Sequence, residues 1–410
     1  MNGEKELFQS LQREIMNDLN FGEELSDQQL KDLIGKHLLG QEKGRNFTLL
    51  QRKQIGKEIF DSLRKMDVLQ DLIDDDDITE IMVNGPGLIF IEKKGKLYKT
   101  NLKFESREKL LHVINQIVSS CNRVVNESSP IVDARLKNGA RVNVVLYPIA
   151  LNGPILTIRR FPNKPITMEK LIELQAISEE AAVFLKKAVE AKYNILISGG
   201  TGSGKTTFLN ALSRYIPVDE RIITIEDSAE LQIQGIDNLI RMETRNANLE
   251  GGKSISIRDL IKTSLRMRPT RIIVGEVRGE EAMDMIGSAM NCGHDGSMSS
   301  AHANSAEDML LRLENMMLMS VTLPLDVIRG QIASGVDLIV HLGRLRDKSR
   351  KVLEITEIKG IKQDKIILNP LYIFREISEK KNGNIEGKLE KIGQLIHTYK
   401  MENAGIKPPY

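Results

Sequence analysis

The chain has 410 residues, 41% of them hydrophobic and 28% charged, a length that calls for two or three domains rather than one core. Lys and Arg exceed Asp and Glu by 58 − 56 = 2, so no global field recruits nucleic acid or an anionic membrane. Cys121 and Cys292 are the only cysteines, too few for a disulfide framework or a zinc site.

The opening "MNGEKELFQSLQREIM" carries acids where a signal peptide needs a basic start and an apolar core. No apolar run reaches the ~18 residues of a membrane span. The expectation is a cytoplasmic protein. Residues 1–66 read as helices: "LSDQQLKDLIGKHLLG" starts at a capping Ser26 or Asp27 and spaces Leu30, Leu33, Ile34 and Leu38 along one face. "FTLLQRKQIGKEIFDSLRKM" repeats that pattern, and both suit a packing or docking bundle.

Four acids at 74–77 lack the glycine and glutamate spacing of a calcium loop and read as a solvated turn. Short alternating strands, the helix "REKLLHVINQIVSSC" and the strands "ARLKNGARVNVVLYP" and "PILTIRRF" then make residues 67–165 a small α+β domain. "FPNKPIT" reads as the linker that ends it. From 166 to 377 helices and strands alternate, which predicts an α/β domain with a doubly wound, mainly parallel sheet and its ligand at the strands' C-terminal ends. "DLIVHLGRLRDKSRKVLEITEI" reads as a hairpin. Residues 378–410 read as a charged tail, partly helical or loose.

"GGTGSGKT" satisfies G-x-x-x-x-G-K-[ST] between a strand and a helix, the context the motif requires. Gly199, Gly200, Thr201, Gly202, Ser203 and Gly204 let successive backbone N–H groups turn inward on a polyphosphate. The helix that begins with Lys205, Thr206 and Thr207 adds the positive end of its dipole. Lys205 can reach the β- and γ-phosphates, and the Thr206 hydroxyl can ligate magnesium. "RIIVGEVRG" ends a buried strand in Gly275 and a single acid, Glu276, where an Asp commonly organises the metal. "TIEDSAE" supplies Glu226, Asp227 and Glu230 at a second strand end, so Glu226 and Glu276 can divide the tasks of activating water and holding magnesium. "GHDGSMSSAHANS" puts His294 before a glycine turn and His302 at a third strand end.

The succession "GGTGSGKTT", "TIEDSAELQI", "RDLIKTSLRMRPTRIIVGEVRG" and "GHDGSMSSAHANS" resembles the secretion and pilus-assembly ATPases of the type II/type IV superfamily. "ETRNANLEGGKSISIRDLIKTSLRMRP" and "GEVRGEEAMDM" look like its CpaF (TadA) branch, the motors of tight-adherence (Flp) pili. The resemblance spans roughly residues 60–376. It implies a RecA-like ATPase domain preceded by a PAS-like α+β domain, a homohexamer using ATP and Mg2+, and an inner-membrane platform protein as partner. Membrane association would be peripheral, through that partner, with no nucleic acid. By position it implies Glu226 as general base, Glu276 with Thr206 at magnesium, His302 as phosphate sensor and His294 as its companion. Arg135, Arg141 and Arg159, surface charges by themselves, match the family's arginines that reach a phosphate. "SMSSAH" departs from relatives that carry Thr near the second Ser, though Ser300 keeps a hydroxyl, and no CxxC…CxxC insertion is present. A conjugation-type traffic ATPase shares these features. A RecA-type nucleic-acid translocase is disfavoured by the charge balance and the absence of Trp for base stacking.

Overall fold

The computed structural model describes residues 14–15, 27–40, 48–64, 66–93, 95–121, 123–136, 138–160, 165–245, 253–380 and 383–408. The capping Ser26, most of the "FPNKPIT" linker and residues 246–252 lie outside the described residues. Two compact units, Met1–Asn163 and Lys164–Tyr410, divide the chain.

In the first unit, α1 (Asp27–Gly40) and α2 (Leu49–Arg64) share a small core. Leu30, Ile34 and Leu38 recur every fourth residue and meet Ile55, Ile59 and Phe60. After α3 (Gln70–Asp74), the acids at 74–77 form an ion-paired turn. Asp75 and Asp77 lie 3.0 and 3.3 Å from Lys93, and Asp76 lies 3.3 Å from Arg160. Strands β1 (Ile78–Asn84), β2 (Ile89–Lys93), β3 (Lys96–Lys99), β4 (Ile131–Arg135), β5 (Arg141–Val145) and β6 (Ile155–Arg159) form an antiparallel sheet ordered β3-β2-β1-β6-β5-β4. Helix α4 (Arg107–Ser120) begins where Ser106 Oγ accepts from Lys109 N at 3.2 Å. It buries Leu110, Val113, Ile114 and Ile117 in one core with the strands' inward residues, Val142, Val144, Leu156 and Ile158 among them.

The second unit begins with α5 (Met168–Glu173) and α6 (Glu179–Glu190). It continues through β7 (Ile195–Gly199), α7 (Lys205–Ser213), β8 (Ile222–Glu226), β9 (Leu239–Glu243), α8 (Ile257–Ser264) and β10 (Arg271–Val274). Then come α9 (Glu281–Met283), which runs into a π-helical stretch to Met290, β11 (Met298–Ala301), α10 (Ala306–Ser320) and α11 (Leu325–Gly335). Strands β12 (Leu338–Arg344), β13 (Arg350–Lys362), β14 (Lys365–Glu379) and β15 (Ile385–Lys391) and helix α12 (Tyr399–Asn403) complete it.

The nine strands are ordered β15-β14-β13-β12-β7-β11-β10-β8-β9. Pairing is parallel from β12 to β9 and antiparallel from β12 to β15. Alternate residues of one strand feed two cores: Ile195 and Ile197 pack with α6 and α7, while Leu196 packs with α9, α10 and α11. Covering both faces is what permits a parallel sheet with continuous apolar strands. This is a RecA-like α/β fold.

Residues 378–410, expected as a charged tail, are built into this unit. β15 pairs with β14, Met401 is fully buried, and Tyr193 donates its hydroxyl to His397 O at 2.6 Å. The Lys/Glu-rich composition misled because β15 is an edge strand. It buries Ile385 and Leu389 and turns charges to water, the usual protection of a sheet edge.

Candidate functional site

Strand β7, buried along its whole length, delivers the chain to a tight loop. A Cβ on Gly199 would collide with Leu342 O and Ser203 Oγ, so only glycine fits there. Gly204, the N-cap of α7, has φ +98°, a left-handed conformation that side-chain-bearing residues rarely adopt. Gly200, Thr201 and Gly202 are exposed, Ser203 is buried, and Thr206 and Thr207 sit half-buried in the first turn of α7. Lys205 is only 8% exposed and curls back to donate to Gly199 O at 3.0 Å and Gly200 O at 3.2 Å. A glycine loop closed by a lysine at a helix N-terminus fits a nucleotide polyphosphate.

Three neighbouring strand ends converge beside that lysine. His302, directly after β11, places Nδ1 3.3 Å from Lys205 Nζ and Nε2 2.9 Å from Glu276 Oε1. Glu276, just after β10, also accepts from Arg278 Nη2 at 2.8 Å, and Arg278 Nη1 lies 3.8 Å from Asp227. Burial pushes the Glu276 carboxyl up, but Arg278, His302 and Lys205 together hold it below its ordinary value. His302 is pushed down, by burial and then by Lys205, against the opposing pull of Glu276.

Glu226 ends β8 with 3% exposure. Its Oε1 accepts from Glu230 N and Leu231 N, both at 2.8 Å, while buried Oε2 has no hydrogen-bond partner among the described residues. Burial raises its pKa to about 7 against the lowering by those two N–H groups. The missing acid of the β10 end now has a steric reason. A Cβ on Gly275 would lie 3.0 Å from Glu226 Cγ and 3.3 Å from its Oε1. The carboxylate of the adjacent strand crowds the space, so a side chain at position 275 would have to displace it slightly. Thr206 Oγ1 donates to Glu230 Oε2 at 3.4 Å. Thr206, Glu230 and Glu276 are oxygen donors of the kind magnesium takes, together with phosphate and water. Among the described residues no group of three or more His, Cys, Asp or Glu could hold a metal alone.

His294 stands apart from this network. Its Nδ1 lies 3.0 Å from Pro269 O, and its carbonyl accepts from Ser297 Oγ at 2.6 Å, which closes the turn into β11. Sequence reading missed His341, buried on β12 with Nδ1 3.0 Å from Ser198 Oγ, one residue before the phosphate loop. Burial lowers its pKa. Its only signal was a polar residue within the apolar run "DLIVHLG". Also missed were Arg344 and Arg350. Arg350 Nε donates to Gly202 O at 2.8 Å.

In the first unit the three arginines named from sequence stand in one row. Arg135 pairs in register with Arg141, and Arg141 with Arg159, across β4, β5 and β6. Arg135 Nε donates to Gly139 O at 3.3 Å, and Arg141 lies 3.8 Å from Asp133.

A glycine loop after the central strand β7, with acids at the ends of β10 and β8 two and three strands away, belongs to the RecA-like class of fold. Residues 62–383 match the family model described as Type II/IV secretion system protein, and the chain belongs to that family. It is 39% identical over 277 residues to an uncharacterized protein of Methanocaldococcus jannaschii, a match over 65% of this chain that spans only 38% of that protein's length. It is 33% identical over 304 residues to the type IV secretion system protein VirB11 of Brucella suis biovar 1, covering 68% of this chain and 84% of that one. A crystal structure of the pilus retraction motor PilT with bound ADP shares the fold, with a TM-score of 0.52 at 17% identity. That likeness covers 82% of this chain and 86% of that one. No helix among the described residues is long and apolar enough to cross a membrane.

Proposed function

We propose that the protein hydrolyses ATP and that its domain motions drive traffic through a membrane-bound secretion or conjugation machine. The observation that carries the chemistry is the pair of carboxylates at adjacent strand ends with opposed environments. Glu226, raised to about 7 with one oxygen unbonded, can take a proton at neutral pH. Glu276, held anionic beside Arg278 and His302, cannot do so as readily. Such divergence separates a base from an electrostatic partner.

Glu226 orients and deprotonates the water that attacks the γ-phosphate. Lys205 and the loop N–H groups hold the β- and γ-phosphates and stabilise the charge that develops there. His302, bridging Lys205 and Glu276, senses whether the γ-phosphate is present. Magnesium, held by Thr206 and through water by Glu276, would neutralise phosphate charge.

The secretion and conjugation reading is preferred to the tight-adherence pilus because a VirB11 relative aligns over most of its length, whereas the pilus branch rests on motif likeness alone. The proposal includes a homohexamer, an inner-membrane platform protein and a cytoplasmic location at that membrane. It also includes Arg135, Arg141 and Arg159 as phosphate ligands. Antiparallel register places the three side by side across β4, β5 and β6.

The test is ATP turnover against solution mass over a concentration series, beside Lys205→Ala. Turnover that rises as monomers assemble, and is lost in Lys205→Ala by at least about a hundredfold, supports the proposal. Monomers as active as assemblies would remove the homohexamer from it. Wild-type protein without turnover under any assembly state would overturn the whole.

A further inference from the structure

The β12–β13 hairpin brings an arginine pair to the phosphate loop from within the same unit. β12 runs parallel to β7 with Leu342 level with Gly199, so the next residues of β12 travel beside the loop. Arg344 and Arg350 then occupy directly opposed positions of the hairpin.

Both side chains lean on the loop. Arg350 Nε donates to Gly202 O at 2.8 Å, and its Cδ lies 3.5 Å from where a Cβ on Gly204 would stand. Arg344 Nη1 lies 3.9 Å from the corresponding point on Gly202. Arg346, the third arginine of this turn, donates to Glu376 Oε2 at 2.7 Å and to Glu379 Oε2 at 3.1 and 2.9 Å.

The hairpin is anchored well enough to position what it carries. Leu345 N donates to Ser349 O at 2.8 Å and Lys348 N to Leu345 O at 2.9 Å. Asp347 accepts from Ser349 N and from Ile385 N of β15, both at 2.8 Å. A donor fixed on the Gly202 carbonyl also polarises the peptide whose N–H belongs to Ser203, which strengthens that N–H as a donor into the cradle.

We propose that Arg344 and Arg350 form a cationic rim, supplied by the same chain as the phosphate loop, that takes the polyphosphate of the nucleotide while Arg350 positions the loop through Gly202. This rests on the ATP-binding reading above. It adds a pair of phosphate ligands that does not depend on any neighbouring subunit.

The test compares the affinities of wild type, Arg344→Ala, Arg350→Ala, the double alanine variant and the double lysine variant for ATP, ADP and adenosine. Each is measured by calorimetry at two salt concentrations, with Lys205→Ala as control. The double alanine variant is expected to lose about tenfold or more for ATP, less for ADP and under about twofold for adenosine, with a flatter salt dependence. The lysine variant should recover part of the ATP loss by restoring charge without Arg350's planar donor. Equal losses for ATP and adenosine, or ATP affinity unchanged in the double alanine variant, would overturn the rim. If wild type and Lys205→Ala both fail to bind ATP, the ATP reading itself falls. Wild-type binding with a weakened Lys205→Ala and an unaffected arginine pair removes only the rim.

Discussion

The parallel and antiparallel halves of the large sheet both bury carboxylates, and two of these, Glu226 and Glu357, are treated oppositely. On the antiparallel side Glu357, 1% exposed, is fully engaged: it accepts from His397 N at 2.7 Å, Ile396 N at 3.0 Å and Asn369 Nδ2 at 2.7 Å. Nearby, Lys400 joins Asp337 at 2.7 Å and Asp295 at 2.8 Å and so ties α12 to the sheet. On the parallel side Glu226 is equally buried, yet one oxygen is left without a partner. Burying a polar atom without compensation costs stability. A carboxylate that is satisfied holds structure together, and one left unsatisfied beside a phosphate cradle is available for chemistry.

The sharpest way to break this contrast is Glu226→Gln. Turnover should fall about 10²- to 10⁴-fold, the range of a lost general base, with ATP affinity nearly unchanged. Normal hydrolysis in Glu226→Gln together with a collapse in Glu276→Gln would exchange the two roles.

The same variant carries a stability signature of comparable weight. The folded pKa of Glu226, about 7, lies above its ordinary 4.5, so the folded state binds the extra proton between those values. Its burden on stability is absent below pH 4.5, grows as pH rises and is complete above pH 7. Glu226→Gln should therefore melt with wild type near pH 4.5 and be more stable at pH 8, by up to about 3 kcal/mol. Thermal melts at both pH values decide it, and equal stability at pH 8 would refute the raised pKa.

Glu357→Ala should act in the other direction. It strands the Ile396 and His397 amides and should cost about 2 kcal/mol in urea unfolding at any neutral pH, with turnover per folded molecule preserved. Loss of turnover in folded Glu357→Ala would show that the two halves are not separable in this way. The smallest effect is expected from Gly275→Ala. A Cβ 3.0 Å from Glu226 Cγ forces a shift of a few tenths of an ångström, for about 1 kcal/mol of stability and a several-fold drop in turnover. An unchanged rate would mean that the carboxylate's position matters less than its presence.

The glycine loop and the helix after it were fully legible because they are contiguous: glycines, a lysine and a helix start within eight residues. The hairpin 338–362 and the strand at 298–301 were legible for the same reason, as patterned segments between turn signals. The row of Arg135, Arg141 and Arg159 was reached only through family likeness, since their spacing has no period and only antiparallel register makes them neighbours. Arg344, Arg350 and His341 were not seen at all. Each owes its interest to β12 lying against β7, two strands far apart in sequence.

The amino-acid sequence by itself determined the alternation of helix and strand, the cradle and the acids at the strand ends, because these follow from local propensity and from backbone geometry that glycine alone permits. Tertiary structure decided that Glu226 keeps an unsatisfied oxygen, that its carboxylate crowds position 275, and that the charged C-terminal segment completes the sheet. Those outcomes depend on burial and on which strand ends converge, and both arise only when distant segments pack together.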